Sequence, residues 1–191
     1  TTIQDEVIEL LAESAGTRAE VAEVTERAMR GELDFAESLR ERVATLAGTP
    51  DTVFSEAYSK VRKSAGIDAL VNEVHARGGL VGVVSGGFHE VLDPLAVDLG
   101  LDHWRANRLE VVDGRLTGRV SGPIIDADAK AEALTEWAQA AHIPLSATVA
   151  IGDGANDLAM MAVAGLSVAY NAKPIVRERA DVEVENDLAL V

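Results

Sequence analysis

The residues best suited to chemistry lie in the hexapeptide Gly152-Asp153-Gly154-Ala155-Asn156-Asp157, directly after the apolar run Val149-Ala150-Ile151. The run predicts a buried strand, and open α/β sheets bind their ligands at the carboxyl ends of the strands. Two carboxylates and an amide are hard oxygen donors, and Mg²⁺ in proteins takes one or two carboxylates together with a substrate phosphate. The hexapeptide therefore predicts a magnesium site. The alternative is a turn whose acidic residues cap the next helix.

A second group of candidates follows another apolar run, Leu80-Val81-Gly82-Val83-Val84. Ser85-Gly86-Gly87 comes next and precedes a predicted helix, and a hydroxyl beside free backbone N–H groups at a helix N-terminus is a natural phosphate cradle. Taken alone, this tripeptide is equally typical of an ordinary loop. Lys130 opens a further predicted helix, where a lysine is most often solvated. Beside the other two motifs it can neutralise a phosphate and a metal-bound carboxylate.

These motifs need a scaffold, and the hydrophobic pattern predicts one with two parts. The first third of the chain predicts four short helices in a small bundle, at about 4–13, 17–30, 34–46 and 51–63. After Ser64-Ala65-Gly66 strands alternate with helices, which predicts a parallel α/β sheet with crossovers. The predicted strands are 80–84, 147–151, 166–170 and 182–184, with a hairpin of 109–112 and 115–120, and the predicted helices are 68–77, 89–99, 130–141, 157–164 and 174–180.

Composition excludes several classes of protein. The 191 residues are 48% apolar, enough for one domain with a real core, or for a core with a small insertion. The net charge of −15 repels nucleic acid and anionic membranes, so neither is an expected partner. No apolar run has the ~20 residues of a membrane helix, no signal peptide is present, and a cytoplasmic location is expected. Zero Cys excludes thiolate metal sites, and His75, His89, His103 and His142 lack ligand spacing.

In this order, the three motifs resemble motifs two, three and four of the haloacid dehalogenase superfamily. Further segments make the chain similar to the phosphoserine phosphatase family within it. These segments occur in family order over nearly the whole chain: Gln4-Asp5-Glu6-Val7-Ile8, Thr25-Glu26-Arg27-Ala28-Met29-Arg30-Gly31, Ser38-Leu39-Arg40-Glu41-Arg42-Val43 and Ala106-Asn107-Arg108-Leu109.

The resemblance implies an α/β fold with a Rossmann-like core, a parallel sheet and a small four-helix cap domain. Residues 1–5 would be a remnant of the core after motif one, 6–65 the cap and 66–191 the catalytic core. The implied activity is Mg²⁺-dependent hydrolysis of phosphoserine to serine and phosphate through an aspartyl-phosphate, the last step of serine biosynthesis. The resemblance is also compatible with a homodimer and with an N-terminal regulatory domain.

The resemblance implies that cap residues hold the amino-acid end of the substrate. Glu6 would hold the ammonium group and Arg42 the carboxylate, with Met29 and Phe35 as apolar lid contacts. The chemistry of the substrate agrees, because phosphoserine is a zwitterion and arginine can grip a carboxylate with two hydrogen bonds. The alternative is that Glu6 and Arg42 are ordinary surface charges on helices.

Core residues would hold the phosphoryl end and the metal. The resemblance implies that Ser85, Gly86 and Lys130 bind phosphate, with Ser85 and Lys130 also catalytic. Asn156 would contact the substrate. It further implies that Asp153 ligates Mg²⁺ and that Asp157 supports it.

One family motif is missing from residues 1–191. Thr1 matches the last residue of motif one, Asp-x-Asp-x-Thr, whose first aspartate attacks phosphorus and whose second is the general acid and base. Both aspartates would then precede Thr1, so the stretch 1–191 alone is expected to be inactive, and both ends of the chain are expected to be cut. Three alternatives stay open: a sibling phosphatase for another small phosphomonoester, phosphoryl transfer to another acceptor, and a non-catalytic phosphoamino-acid-binding fragment.

Overall fold

The computed structural model describes all of residues 1–191 and confirms four helices in the first third of the chain. The N-terminus of the third is set by a capping box, in which the Asp34 side chain accepts from the Glu37 N–H and the Glu37 carboxylate accepts from the Asp34 N–H. The first ends at Gly16, which has a φ of 76° that glycine adopts without strain. The four helices are α1 Val7–Ala15, α2 Arg18–Met29, α3 Phe35–Ala44 and α4 Val53–Ser59.

The rest of the chain alternates helices with strands, as the pattern predicts. The helices are α5 Ile67–Ala76, α6 His89–Leu99, α7 Ala127–Ala140, α8 Leu158–Val163 and α9 Pro174–Arg177. The strands are β1 Gly82–Phe88, β2 His103–Val112, β3 Arg115–Ser121, β4 Val149–Gly152, β5 Leu166–Tyr170 and β6 Val182–Val184. No helix is both long enough and apolar enough to cross a membrane.

The strands form two three-stranded sheets, β1-β2-β3 and β4-β5-β6, where the pattern predicts a single sheet. All neighbours are parallel except β2 and β3, which form the predicted hairpin. No ladder joins β1 to β4, although both strands line one cleft.

The largest local departure from the predicted strands is a bulge in β1. Val84 pairs with Arg105 and Phe88 pairs with Asn107, so Ser85, Gly86 and Gly87 stand opposite a single residue of β2. Extra residues on one strand bend it and interrupt the ladder. The strand thus continues past Val84, where the apolar pattern predicts its end.

The largest hydrophobic core joins the four-helix bundle to the hairpin and to α6. Leu11 and Leu46 lie in it with Phe88, Val91 and Leu116. The backbone adds to this contact, since the Gly48 N–H donates to the Leu116 carbonyl and the Leu116 N–H donates to the Thr49 carbonyl. This core contains residues from both sides of the predicted boundary at residue 65, and the boundary itself stays a prediction.

One buried carboxylate is only partly satisfied. Glu90, in the first turn of α6, has a side chain that is 10% exposed. Its Oε1 accepts from the Leu109 N–H at 3.2 Å and lies 3.6 Å from the Arg108 guanidinium, whereas the buried Oε2 has no partner. Burial raises the pKa of Glu90, and the lowering by its backbone hydrogen bonds and by Arg108 does not reverse this.

We expect Glu90→Gln to stabilise the fold at neutral pH. Because the pKa is raised in the folded state, ionisation of Glu90 costs stability as pH rises above the unfolded value of about 4.3. An unsatisfied buried group costs about 1–3 kcal/mol, so we expect a gain on the order of 1 kcal/mol at pH 7 and none below about pH 4. Urea unfolding across this pH range measures it. Glu132→Gln, at an exposed position of α7, is the control, and a gain that does not change with pH would contradict the explanation.

Candidate active site

The predicted site residues meet at a cleft of about 1070 Å³ beside the carboxyl ends of β1 and β4. The meeting follows from the sheet geometry, because each motif comes at the end of a parallel strand or from a helix that faces one. Nine of the ten predicted residues line the cleft: Glu6, Phe35, Arg42, Ser85, Gly86, Lys130, Asp153, Asn156 and Asp157.

Met29 is the predicted residue that does not line the cleft. It is the last residue of α2 and is 79% exposed. The end of this helix is held by an ion pair between Arg27 and Glu41 of α3. The role of Met29 as a lid contact stays a prediction.

Asp157 organises the loop after β4. Its Oδ2 accepts from the N–H groups of Asp153 at 3.0 Å and of Gly154 at 3.2 Å. Gly152 is required behind it, because a Cβ there would lie 2.5 Å from the Cβ of Asp157. The Asp157 residue is only 5% exposed. Its carboxylate therefore shapes the loop that carries Asp153.

The other oxygen of Asp157 forms the strongest electrostatic contact in the site. Lys130 Nζ donates to Asp157 Oδ1 at 2.7 Å, with the two side chains 8% and 7% exposed. The sequence pattern starts a helix at Lys130, but α7 begins at Ala127 after Asp126, whose side chain accepts from the Ala129 N–H. Lys130 is thus one turn inside the helix and buried, which differs from the solvated lysine that such a position usually holds.

Asp153 is the carboxylate that remains open to the cleft. Its side chain is 48% exposed, and its Oδ1 accepts from Thr1 Oγ1 at 2.6 Å. Burial alone would raise the pKa of Asp153, whereas the hydrogen bond from the Thr1 hydroxyl and the charge of Lys130 act to lower it.

The few carboxylates at the site suit a magnesium ion better than a metal whose ligands all come from protein side chains. No three His, Cys, Asp or Glu side chains converge anywhere in the chain. Mg²⁺ accepts such a site, since it binds through one or two carboxylates and fills its other positions with water and phosphate oxygens. Asp153, with its exposed carboxylate, can supply that ligand.

The bulge in β1 presents a serine hydroxyl and glycine backbone to the cleft. Ser85 Oγ accepts from the Gly87 N–H at 3.0 Å. A Cβ at Gly86 would lie 3.2 Å from Phe35 Cζ, and one at Gly87 would lie 3.4 Å from Val7 Cγ2. Side chains of the four-helix bundle thus pack closely against the bulge. They occupy space that side chains at positions 86 and 87 would otherwise fill.

Two opposite charges from the bundle line the same cleft. Glu6 precedes α1, and Arg42 lies in α3, where its Nε donates to the Ser38 carbonyl at 3.2 Å. Burial lowers the pKa of Arg42, while Glu6 and Glu9 raise it. The hydrogen bond of Arg42 thus goes to its own helix, and Arg42 lines the cleft together with Glu6, where the two can face a ligand that carries both charges.

A cleft at the carboxyl ends of parallel strands, lined by a serine, a lysine and side chains of opposite charge, is typical of an α/β enzyme for a small charged molecule. The sequence model of the haloacid dehalogenase-like hydrolase family matches residues 2–162 of this chain. The chain belongs to this family, and the predicted fold class is confirmed.

Similar proteins are named phosphoserine phosphatases. One from Streptococcus thermophilus is 53% identical over 98% of this chain and 88% of its own length. One from Streptomyces coelicolor is 58% identical over 96% of this chain, which spans 45% of that protein.

Two solved structures share the fold closely. A probable phosphoserine phosphatase from Vibrio cholerae, unliganded, has a TM-score of 0.90 and 46% identity over 96% of this chain and 57% of its own. A substrate-bound phosphoserine phosphatase complex has a TM-score of 0.91 and 42% identity, over 98% of this chain and 90% of its own.

Two residues at the bulge were given no role by the sequence pattern. The Ala106 N–H donates to His89 Nε2 at 3.1 Å, so His89 carries its proton on Nδ1, which faces Asp93 at 2.6 Å. Asn107 is fully buried and donates to the Gly86 carbonyl. The available signal was the segment 106–109 that the chain shares with the phosphoserine phosphatases.

We expect Asp157→Asn to destabilise the fold because it leaves Lys130 charged and buried without its partner. Breaking a buried ion pair in this way costs about 3–5 kcal/mol. The double variant Lys130→Met/Asp157→Asn removes both charges and keeps an amide oxygen for the loop N–H groups, so it is expected to regain most of that stability while losing phosphate affinity. Urea unfolding and phosphate titration of both variants measure this, and a single variant as stable as the parent would refute the importance of the pair.

Proposed function

We propose that this chain acts as a phosphoserine phosphatase, hydrolysing O-phospho-L-serine to L-serine and phosphate in the last step of serine biosynthesis. The observation that carries the proposal is one cleft lined by Ser85 and Lys130 of the core and by Glu6 and Arg42 of the bundle. Phosphoserine carries a phosphate together with an ammonium and a carboxylate group, which such a set of side chains can bind. The relatives of 53% and 58% identity with this name support the assignment.

In this proposal the phosphoryl group lies against the bulge of β1 and the start of α7. Ser85 and the backbone of Gly86 donate hydrogen bonds to it, and Lys130 neutralises its charge. Asn156 lines the same cleft and would contact the substrate. These groups recognise phosphate alone and would accept other phosphomonoesters.

The bundle then supplies selectivity for the amino acid. Arg42 binds the carboxylate and Glu6 binds the ammonium group, while Phe35 excludes water as an apolar lid contact. Met29 lies outside the cleft in this structure, and its part in the lid would require it to move towards the substrate. The partial burial of Arg42 supports this role, since a desolvated guanidinium holds a carboxylate more strongly than an exposed one. The proposed division of the chain is a cap at 6–65 and a core at 66–191.

Asp153 would hold Mg²⁺, with Asp157 supporting it by shaping the loop. The ion supplies positive charge to the phosphoryl oxygens when bound. The resemblance assigns attack on phosphorus to an aspartate of motif one before Thr1, and Thr1 itself lies beside Asp153. The proposal includes a cytoplasmic location and a small-molecule substrate without nucleic acid or membrane partners. A homodimer and an N-terminal regulatory domain stay predictions from the resemblance.

Selectivity distinguishes this function from that of a general phosphatase. Arg42→Ala is expected to lower kcat/KM for phosphoserine by about 10- to 10³-fold, because losing one partner of a buried charge pair costs on the order of 2–5 kcal/mol. The kcat/KM of the same variant for an aryl phosphate, which has no carboxylate, is expected to fall little. Glu6→Gln is expected to impair ammonium-bearing substrates most.

The measurement is steady-state kinetics of the full-length protein on both substrates. Arg40→Ala is the matched control, because Arg40 lies on the exposed side of the same helix. Equal losses on the two substrates would indicate a structural or general catalytic role for Arg42. The function would then be that of a phosphatase for another small phosphomonoester.

Asp153→Asn tests the metal. The amide keeps the shape of the side chain but lacks the charge that Mg²⁺ requires, so most turnover is expected to be lost. Activity assays of parent and variant over a range of Mg²⁺ concentrations, with chelator as the zero point, measure this. A variant that turns over phosphoserine at the parent rate without added metal would show the assignment to be wrong.

A further inference from the structure

The bulge of β1 leaves backbone groups that the ladder does not pair, and side chains from α6 and β2 take their place. Buried backbone N–H and carbonyl groups need hydrogen-bond partners. At the bulge, the Gly86 carbonyl accepts from Asn107 Nδ2 at 2.9 Å, and the Ala106 N–H donates to His89 Nε2 at 3.1 Å. The shape of the bulge that carries Ser85 and Gly86 is therefore held by the side chains of Asn107 and His89.

Asn107 uses both ends of its amide. Its Oδ1 accepts from the Ile125 N–H at 2.9 Å while its Nδ2 donates to the Gly86 carbonyl. One partner is a donor and the other an acceptor, so the amide has a single satisfying orientation. Asn107 is fully buried, where an amide is stable only if it is hydrogen-bonded.

The two partners of Asn107 belong to the two phosphate-binding parts of the site. Gly86 lies in the loop after Ser85. Ile125 directly precedes Asp126, the residue that caps α7, and α7 carries Lys130. One buried amide therefore joins the loop that presents Ser85 to the chain segment that sets the position of Lys130.

The bond to Gly86 also determines where the next N–H group points. In a trans peptide the carbonyl of Gly86 and the N–H of Gly87 point in opposite directions. With the carbonyl held by Asn107, the Gly87 N–H points away from Asn107 and donates to Ser85 Oγ. Asn107 thereby orients the Ser85 hydroxyl without touching the cleft, which it does not line.

We propose that Asn107 is a positioning residue that sets the spacing and orientation of Ser85 and Lys130 for a phosphoryl group. This inference rests on the proposed function only in that the ligand carries a phosphoryl group. It gives a role to the segment Ala106-Asn107-Arg108-Leu109. Because Asn107 acts at the phosphoryl end, its loss affects all phosphomonoesters alike, whereas the loss of Arg42 affects those with a carboxylate.

Two variants separate this role from simple burial. Asn107→Asp keeps the shape and the bond from Ile125 but turns an oxygen towards the Gly86 carbonyl. Asn107→Leu keeps a similar volume and loses both bonds. Ser167→Ala is the matched control, because Ser167 is 5% exposed and loses its hydrogen bond to Asp181 away from the cleft.

The experiment uses the full-length protein with Mg²⁺. The affinity for inorganic phosphate, the kinetics on phosphoserine and an aryl phosphate, and the melting temperature are measured for each variant. Both Asn107 variants are expected to bind phosphate about 10-fold more weakly, to lose kcat/KM equally on both substrates, and to show faster amide exchange at Gly87. Ser167→Ala is expected to lose thermal stability and to keep its phosphate affinity.

A folded Asn107→Asp protein with the parent phosphate affinity would overturn the proposal. So would equal losses in Ser167→Ala, and so would a failure of both Asn107 variants to fold, because each would make the residue merely structural. A parent protein that prefers the aryl phosphate would refute the phosphoserine assignment, while the phosphate affinities would still decide the role of Asn107.

Discussion

The buried ion pair between Lys130 and Asp157 is the contact on which the site depends. Its 2.7 Å hydrogen bond joins α7 to the loop after β4, and the second oxygen of Asp157 shapes that loop through two N–H groups. A buried charge is stable only with a partner, so neither residue can change alone. The pair thus holds Lys130 and the loop with Asp153, the proposed metal ligand, on the same side of the cleft. The glycine at 152 follows from it, since no Cβ fits behind Asp157.

The parts of the site that follow strands were predictable because their signals are local. An apolar run such as 149–151 has few alternatives to a buried strand, and a polar loop directly after it must lie at the edge of a sheet. The capping residue Asp34 and the glycine at 16 likewise set helix ends within a few residues. The resemblance to the haloacid dehalogenase superfamily then supplied the roles that spacing alone leaves open, above all at Glu6 and Arg42.

The features that the sequence did not predict depend on contacts between residues that are distant along the chain. The first residues of β2 lack an apolar alternation and become a strand by pairing with β1. Their side chains contact the flanking helices, since Trp104 donates to Asp93 of α6 and His103 stacks on Trp137 of α7. The extension of β1 past Val84 and the role of Asn107 depend on the same pairing. Local pattern cannot reveal a side chain that replaces a ladder hydrogen bond, because the need for it arises only when both strands are in register.

The large hydrophobic core has a consequence for the order in which the chain folds. Leu11 and Leu46 are completed by Phe88 and Leu116, which follow them by many residues along the chain. During synthesis the four helices at the N-terminus therefore leave the ribosome with an open apolar face, and they keep it until the hairpin has emerged. Domains usually fold as units as the chain grows. Here the bundle and the hairpin share one hydrophobic core, so translation must reach β3 before the bundle can close that core.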